Sequence, residues 1–359
     1  MKSNSNSLHQ LALRKFKKNK LGVFSFSYIV LCGLIAIFCY VLAPDNSNSA
    51  NQMHLEIHSK PPGFNVLMLK IPNQQQEKTS LYTTLIEGKK NDFKELPILS
   101  YSVQNNILEV IKYADQLPKS YPLSIFNNEP KKFISKSTFV FGTDKYGRDL
   151  LSRLLIGTRI SFFIGFIAVF ISLIIGIPIG AIAGYYGKKI DAFIMWFINV
   201  TWSIPTLLLV VAFILVMGKG YWQVFIAVGL TMWVEVARIV RGQVISAKQE
   251  QYVEAAKALG FSNLRIIFKH ILPNIMAPII VISAANFAAA ILIESGLSFL
   301  GIGAQPPTPS WGAIIKNHYN YIILGKPYLA LIPGIAIMSL VMAFMLLGNA
   351  LRDALDVKS

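Results

Sequence analysis

Six apolar runs divide this chain, at about 21–43, 162–186, 192–217, 221–240, 275–295 and 328–348. A helix needs about 20 apolar residues to cross a hydrocarbon core of about 30 Å, and each run has that length. In lipid the backbone must satisfy its own polar groups, so runs of this kind fold as membrane-crossing helices. The rest of the composition agrees: 53% of the 359 residues are hydrophobic and 14% charged, and the mean hydropathy is +0.50. That is too apolar for a soluble domain. The formal charge of +16 does not point to nucleic acid. The basic residues cluster beside the apolar runs, as membrane topology requires, and form no single basic face.

Charge orients the runs. Residues 1–20 form a polar, basic tail with Arg14, Lys15, Lys17, Lys18 and Lys20 and no acid, which places the N-terminus in the cytoplasm. The run at 21–43 exceeds the roughly 7–15 residues of a signal-peptide core and is read as a retained anchor. No spanning run follows until after residue 160, so 44–137 is predicted to lie outside the membrane. Tyr185, Tyr186, Lys188 and Lys189 end the second span, Arg238 and Arg241 the fourth, and Arg352 and Lys358 follow the sixth. With six spans each basic group falls on the cytoplasmic side, and the tail at 351–359 is cytoplasmic too. Cys32 and Cys39 lie about 10 Å apart along one helix, too far to bridge.

The outer insert has its own pattern. Alternating segments at 53–58, 64–71 and 96–103 predict strands, broken by Pro61-Pro62-Gly63, Pro72-Asn73 and Gly88. A short helix is predicted over 107–113. His54, Glu56 and His58 would share one face of the first strand, a candidate metal set beside the plainer reading of solvated strand residues. Farther on, Gly142 to Arg148 nearly matches a phosphate-binding loop. Arg148 and Asp149 stand where lysine and a hydroxyl belong, so that reading is set aside. A capped, charged start to a helix is expected instead, with Asp149 and Arg148 or Arg153 available for pairing.

Within the spans, Gly176, Gly180 and Gly184 recur at helical spacing and predict a close-packing face. Ala284, Ala285, Ala288, Ala289 and Ala290 do the same in the fifth span, and Pro178, Pro205 and Pro278 allow kinks. Asn199, Thr201, Trp202 and Ser203 form a polar patch in the third span that either faces a translocation path or bonds a neighbouring helix. A charge at mid-bilayer costs roughly 2.5–3.5 kcal/mol on insertion scales, so acids there need a reason. Glu235 has Arg238 at i+3 for pairing. Glu294, near the outer end of the fifth span, is a candidate gate or helix-end residue.

The stretch 243–274, between the fourth and fifth spans, is a cytoplasmic loop. Tyr252 to Leu259 carries good helix formers, Gly260 sits where a C-cap is expected, Ser262 can cap a second short helix, and Pro273 ends it or begins the next element. Two short helices meeting at a glycine elbow are predicted, the first kept narrow by alanines, with Tyr252, Leu259 and Phe261 as its larger contacts. Glu254, Ala255, Ala256, Gly260, Leu272 and Pro273 resemble the E-A-A-(x)3-G-(x)9-I-x-L-P loop of ABC importer permeases, with His270 in place of the isoleucine. The stretch from Gly142 to Ser161 resembles the G-T-D-x-x-G-R-D signature of dipeptide and oligopeptide permeases. Two further matches are Leu297 to Ala313, whose Trp311 is expected at the membrane interface, and the ending around Asn349, Arg352 and Asp353.

That resemblance spans about 1–45 and 138–359, the permease core being 138–350. It implies an all-α integral membrane protein of the type I ABC importer permease fold, with the small insert, predicted β-rich, between helices 1 and 2. It implies a transport subunit of the bacterial inner membrane that is not itself an enzyme and holds no cofactor. ATP and magnesium would be bound by partner ATPases. The implied partners are a second related permease, two ATPase subunits and an extracytoplasmic solute-binding protein. Tyr252, Glu254, Ala255, Ala256, Gly260, Leu272 and Pro273 would couple to the ATPase. The implied cargo is di- or oligopeptide, with nickel or another small solute as the alternative, since nickel permeases share these motifs. A stand-alone secondary transporter would want paired ionisable residues at mid-bilayer, of which this chain offers few. A membrane-anchored outer domain has only the insert in its favour.

Overall fold

The structure, a computed structural model, describes residues 8–73, 80–89, 92–115, 117–127 and 129–355. Residues 1–7 of the basic tail, Lys358 and parts of the insert at 74–79, 90–91, 116 and 128 lie outside that set. The chain begins with a basic helix, α1 (Leu8–Lys18), followed by α2 (Lys20–Leu42), which departs from helical geometry at Phe38.

The insert is a five-stranded antiparallel sheet. Its strands are β1 (Phe64–Pro72), β2 (Phe93–Gln104), β3 (Ile107–Lys112), β4 (Pro118–Pro122) and β5 (Ile134–Phe139), ordered β4-β3-β2-β1-β5, with a short helix, α3 (Leu81–Glu87), between β1 and β2. Its core is Leu69, Ile98, Leu108, Val110, Leu123 and Phe126. Two expectations fail here. Residues 107–113 were expected as helix, but Leu108 and Val110 alternate into the core of a strand. Asn105 and Asn106 both take positive φ, 47° and 66°, which a two-residue hairpin turn requires. Residues 53–58 form no strand; Leu55–Ile57 is a single 3-10 turn.

The membrane part continues as α4 (Leu150–Tyr186), α5 (Lys188–Trp202), α6 (Thr206–Met217), α7 (Tyr221–Ala247), α8 (Gln251–Ala258), α9 (Asn263–Arg265), α10 (Met276–Leu300), α11 (Trp311–His318) and α12 (Tyr328–Leu355). Among the described residues five helices are long and apolar enough to cross a membrane: α2, α4, α7, the continuous stretch Asn263–Leu300, and α12. A sixth crossing exists if α5 and α6, bent by 87° at a short break, count as one. Pro205, which caps α6, sits in that break. Its missing N–H and the constraint it puts on Ile204 explain why the run at 192–217 is not one straight helix. The second span begins at Leu150 rather than near 162, and Pro178 lies inside it.

The chain divides into two compact units. One comprises residues 8–33, 161–305 and 336–355 of those described, and the other 34–160 and 306–335. In the first, Val236, Val240, Val244, Ala181 and Tyr185 belong to one buried cluster with Val253, Ile266 and Ile271. The glycine stripe makes that packing close. A Cβ on Gly176 would stand 2.7 Å from the Trp233 carbonyl oxygen, one on Gly184 2.7 Å from that of Arg241, and one on Gly180 would overlap the Ala237 carbonyl. In the second unit, Leu150 packs with Ile314 and Leu329. Trp311, expected at the membrane interface, is 2% exposed and donates from Nε1 to the Leu154 carbonyl at 3.0 Å.

Candidate functional site

The loop between α7 and α10 is built around Gly260. Helix α8 ends in a Schellman motif: the Phe261 amide donates to the Ala256 carbonyl (3.1 Å) and the Gly260 amide to that of Lys257 (2.9 Å). Gly260 has φ +74°, a conformation that costs an L-residue roughly 1–2 kcal/mol. A Cβ there would meet nothing within 4 Å, so backbone strain, not crowding, selects glycine. Ser262 occupies the cap position of the next helix without a side-chain cap bond. Of the two roles expected for Pro273, the second is observed: α9 runs on through a π-helical turn, Ile266–Ile271, and a 3-10 turn, Leu272–Ile275, directly into α10, and Pro273 begins the next element rather than ending a separate helix. Pro273 sits in the first turn of the 3-10 segment, where it costs no hydrogen bond.

Helix α8 has two faces. Val253 and Ala256 are buried against Val244, Ala247, Ile266 and Ile271. Tyr252, Glu254, Ala255 and Leu259 are exposed, Leu259 at 72%. Leu264 and Phe268 add to this exposed apolar surface. Below it the loop is fastened. Tyr185 Oη donates to Asn263 Oδ1 (2.8 Å), and Lys248 Nζ donates to the Tyr185 carbonyl (2.5 Å). Phe261 stacks on His270 at 5.5 Å, and the Arg265 guanidinium lies 4.1 Å from the Phe261 ring centre. His270, the departure from the family pattern, is therefore a packing partner of the elbow. Arg241 grips Asp191 through two hydrogen bonds, 2.5 and 2.6 Å, tying α7 to α5. What results is a rigid short helix with one bare face.

The stretch after Gly142 builds a lock in the second unit. The Asp144 carboxylate is fully buried and accepts from the Tyr146 amide (2.8 Å), the Arg148 amide (3.0 Å) and Arg148 Nε (2.7 Å). Arg153 Nε lies 3.8 Å from the same carboxylate, and Arg153 Nη1 donates to the Ser49 carbonyl at 3.2 Å. Asp149 caps α4, accepting from the Ser152 amide (2.9 Å) and hydroxyl. Its burial raises its pKa above the usual carboxylate value. Thr143 Oγ1 bonds the Ile57 carbonyl and the Lys60 amide, and Gly147 runs so close to His54 that a Cβ would overlap the His54 carbonyl. These residues hold one another; none is arranged around a phosphate.

This chain matches the family described as the binding-protein-dependent transport system inner membrane component over residues 176–358, just over half its length. The chain belongs to that family. Residues 7–62 match the N-terminal transmembrane domain of oligopeptide transport permease C. The dipeptide transport system permease protein of Alkalihalophilus pseudofirmus is 43% identical over 61% of this chain and 71% of its own. A glutathione transport system permease protein of Pectobacterium atrosepticum is 41% identical over 60% and 72%. The solved inward-facing MetNI methionine ABC transporter aligns with a TM-score of 0.44 and 20% identity, covering 56% of this chain and 96% of that one. The protein is thus a multi-pass permease of an ABC importer in the inner membrane, a subunit that works with an ATPase and a solute-binding protein.

The remaining sequence candidates fall in several places. Asn199, Thr201 and Ser203 lie at the break between α5 and α6, where Thr201 and Ser203 bond their own helix (to the Phe197 carbonyl at 2.9 Å and the Val200 carbonyl at 2.7 Å). Glu294 is 1% exposed and accepts from the Ser298 hydroxyl at 2.6 Å and the Ser161 hydroxyl at 3.4 Å. Hydroxyl donors compensate its burial. The Glu235–Arg238 pair does not form. The Arg238 guanidinium lies 3.9 Å from the centre of the Trp202 ring instead, an aromatic partner that i+3 spacing alone does not reveal. His54, Glu56 and His58 lie on and beside a 3-10 turn rather than on one face of a strand, and among the described residues no group of three or more His, Cys, Asp or Glu is placed to hold an ion.

Proposed function

We propose that this permease, paired with a second related permease, forms the path for di- or oligopeptides, and that α8 receives the motion of one of two ATPase subunits. The observation that carries the coupling role is the bare face of α8, with Tyr252, Glu254, Ala255 and Leu259 exposed on a helix whose other side is clamped into the core. Ala256 is buried in that clamp, Gly260 sets the elbow, and Leu272 and Pro273 carry the connection into α10. A short rigid helix with an exposed apolar face suits a groove on a partner. The two arrangements of such an importer are states whose balance cargo and nucleotide both bias. Peptide as cargo is supported by the relatives, a dipeptide and a glutathione transport permease among them. Basic flanks of the spans support cytoplasmic termini. ATP and magnesium belong to the ATPases in this scheme, and this subunit needs no cofactor and catalyses no reaction.

Co-expression with the ATPase tests it. Wild type is expected to retain the ATPase and, with binding protein, to show peptide uptake coupled to ATP hydrolysis. Gly260→Asp, which puts a charged, β-substituted residue at positive φ, is expected to lose retention or coupling. A wild type that binds no ATPase in any detergent would overturn the coupling role, and uptake of nickel in place of peptide would overturn the cargo.

A further inference from the structure

Glu235 lies in the inner part of α7, about 8 Å along the helix from the end of the apolar run at 221–240 and one turn before Arg238. Its sequence neighbours from Thr231 to Val234, and then Val236 and Ala237, are buried, while Glu235 itself is exposed. Among the described residues it has no ion pair. The nearest cations on α7 are engaged elsewhere, Arg238 on the Trp202 ring and Arg241 on Asp191. An uncompensated carboxylate at this depth is costly unless it meets water or a ligand. Glu235 borders a cavity of about 210 Å³ at the break between α5 and α6, together with Thr201, Trp202, Thr206, Thr231 and Ile293.

Beside the Thr206 hydroxyl and the Trp202 indole N–H, two of the cavity's hydroxyls act toward it as acceptors. The Thr201 hydroxyl spends its proton on the Phe197 carbonyl (2.9 Å) and the Thr231 hydroxyl on the Val228 carbonyl (2.8 Å). Both therefore offer the cavity lone pairs. A carboxylate and two hydroxyl acceptors call for a cationic donor with several N–H groups. The volume is below the roughly 300–1,000 Å³ of pockets that enclose a whole drug-sized ligand, so the cavity fits one end of a cargo.

We propose that Glu235 receives a primary ammonium group of the cargo in transit, the amino terminus of a peptide. This rests on the peptide reading above. The test uses the complete transporter in proteoliposomes, with ATP inside and binding protein outside, comparing wild type, Glu235→Gln and Glu235→Asp on radiolabelled Ala-Ala. The binding protein sets capture, so Glu235→Gln is expected to lower kcat at least tenfold with KM unchanged, and Glu235→Asp to recover most of it. Binding-protein-stimulated ATP hydrolysis should persist. In equilibrium dialysis of the permease–ATPase complex without binding protein, wild type is expected to hold Ala-Ala at least tenfold more tightly than N-acetyl-Ala-Ala, and Glu235→Gln to hold the two equally. Where neither peptide is retained, the kcat comparison decides. An unchanged kcat in Glu235→Gln overturns the proposal, as does equal retention of both peptides by wild type. So does loss of the second permease from the Glu235→Gln complex in size-exclusion chromatography, which would make the acid an interface residue. A wild type that accumulates no Ala-Ala overturns the peptide reading itself; wild-type uptake beside an unaffected variant overturns this inference alone.

Discussion

At the scale of single residues, the second unit holds two that are sensitive in different ways. His318 is 1% exposed; its Nδ1 donates to the Ile314 carbonyl (2.7 Å) and its Nε2 accepts from the Lys145 amide (3.4 Å). The Nε2 contact needs the neutral ring, whereas the Nδ1 bond survives protonation. Burial, aided by Lys145 and Arg148 against the pull of Asp144, lowers its pKa from 6.5 to about 4. A depressed histidine gives its full stability above the unfolded value of 6.5 and loses it as pH falls toward 4. Wild type should therefore lose about 2 kcal/mol between pH 7.5 and 5 through this residue, read as a falling Tm in detergent, and His318→Gln should show less than half that slope. Asp144 acts through charge. Asp144→Ala strands the buried guanidiniums of Arg148 and Arg153, and removing one partner of a buried pair costs about 3–5 kcal/mol. A drop below about 1 kcal/mol in denaturant unfolding would show the lock is not needed. A capped start to α4 and Gly260 as an elbow could be read from the sequence, because capping chemistry is local. The pairing of Asp149 with Arg148 or Arg153 does not form: Asp144 takes both arginines and Asp149 is the cap. The partners of Asp144, Trp311 and Arg238 could not, because each is chosen by a residue distant in the chain or by one of several equally spaced candidates.

At the scale of elements, α4 against α7 is the contact that sequence periodicity described best. Gly176, Gly180 and Gly184 repeat at helical spacing, and the α7 backbone lies where their side chains would be. Gly180→Ala therefore pushes a methyl into the Ala237 carbonyl, and overpacking of this kind costs about 1–3 kcal/mol. The expected result is a lower Tm for Gly180→Ala and an unchanged or higher one for Gly334→Ala, since nothing lies within 4 Å of a Cβ at Gly334 and alanine favours the helix. A Gly180→Ala protein as stable as wild type would mean that the helices slide apart freely. Periodicity failed where two periods compete. The segment 107–112 satisfies both a helical and an alternating pattern, and the Asn105-Asn106 turn is what settles it as strand. Hydropathy likewise found the third span without its 87° bend, because composition registers apolar length and not direction.

At the scale of the whole molecule, the sheet of the insert is joined to the rest of its unit through Ile57, which packs with Val66, Met68 and Phe139, and through Arg159, which donates to the Leu85 and Ile86 carbonyls. Its first and last strands, β1 and β5, pair with each other, and the Gly63 amide reaches both the Phe139 carbonyl (2.9 Å) and the Val140 carbonyl (3.2 Å). The ends of 64–139 are thus already in contact, and a two-residue glycine link closes the gap at little entropic cost. The lock is spared, since Asp144, Arg148 and the Ile57 and Lys60 groups that hold Thr143 lie outside the excised segment. Part of β2 is bare: Tyr101 and Val103, which share a face, are exposed along with Leu99, an apolar stripe of the kind that marks interaction surfaces. If that stripe receives the binding protein, replacing 64–139 by Gly-Gly should leave expression, ATPase association and basal ATP hydrolysis near wild type. Half-maximal uptake should then need at least tenfold more binding protein. Titrating the binding protein against uptake in proteoliposomes measures this. An unchanged titration would remove the insert from cargo capture and leave its sheet serving some other contact, whereas loss of the folded chain would show that the sheet supports the second unit as well as decorating it.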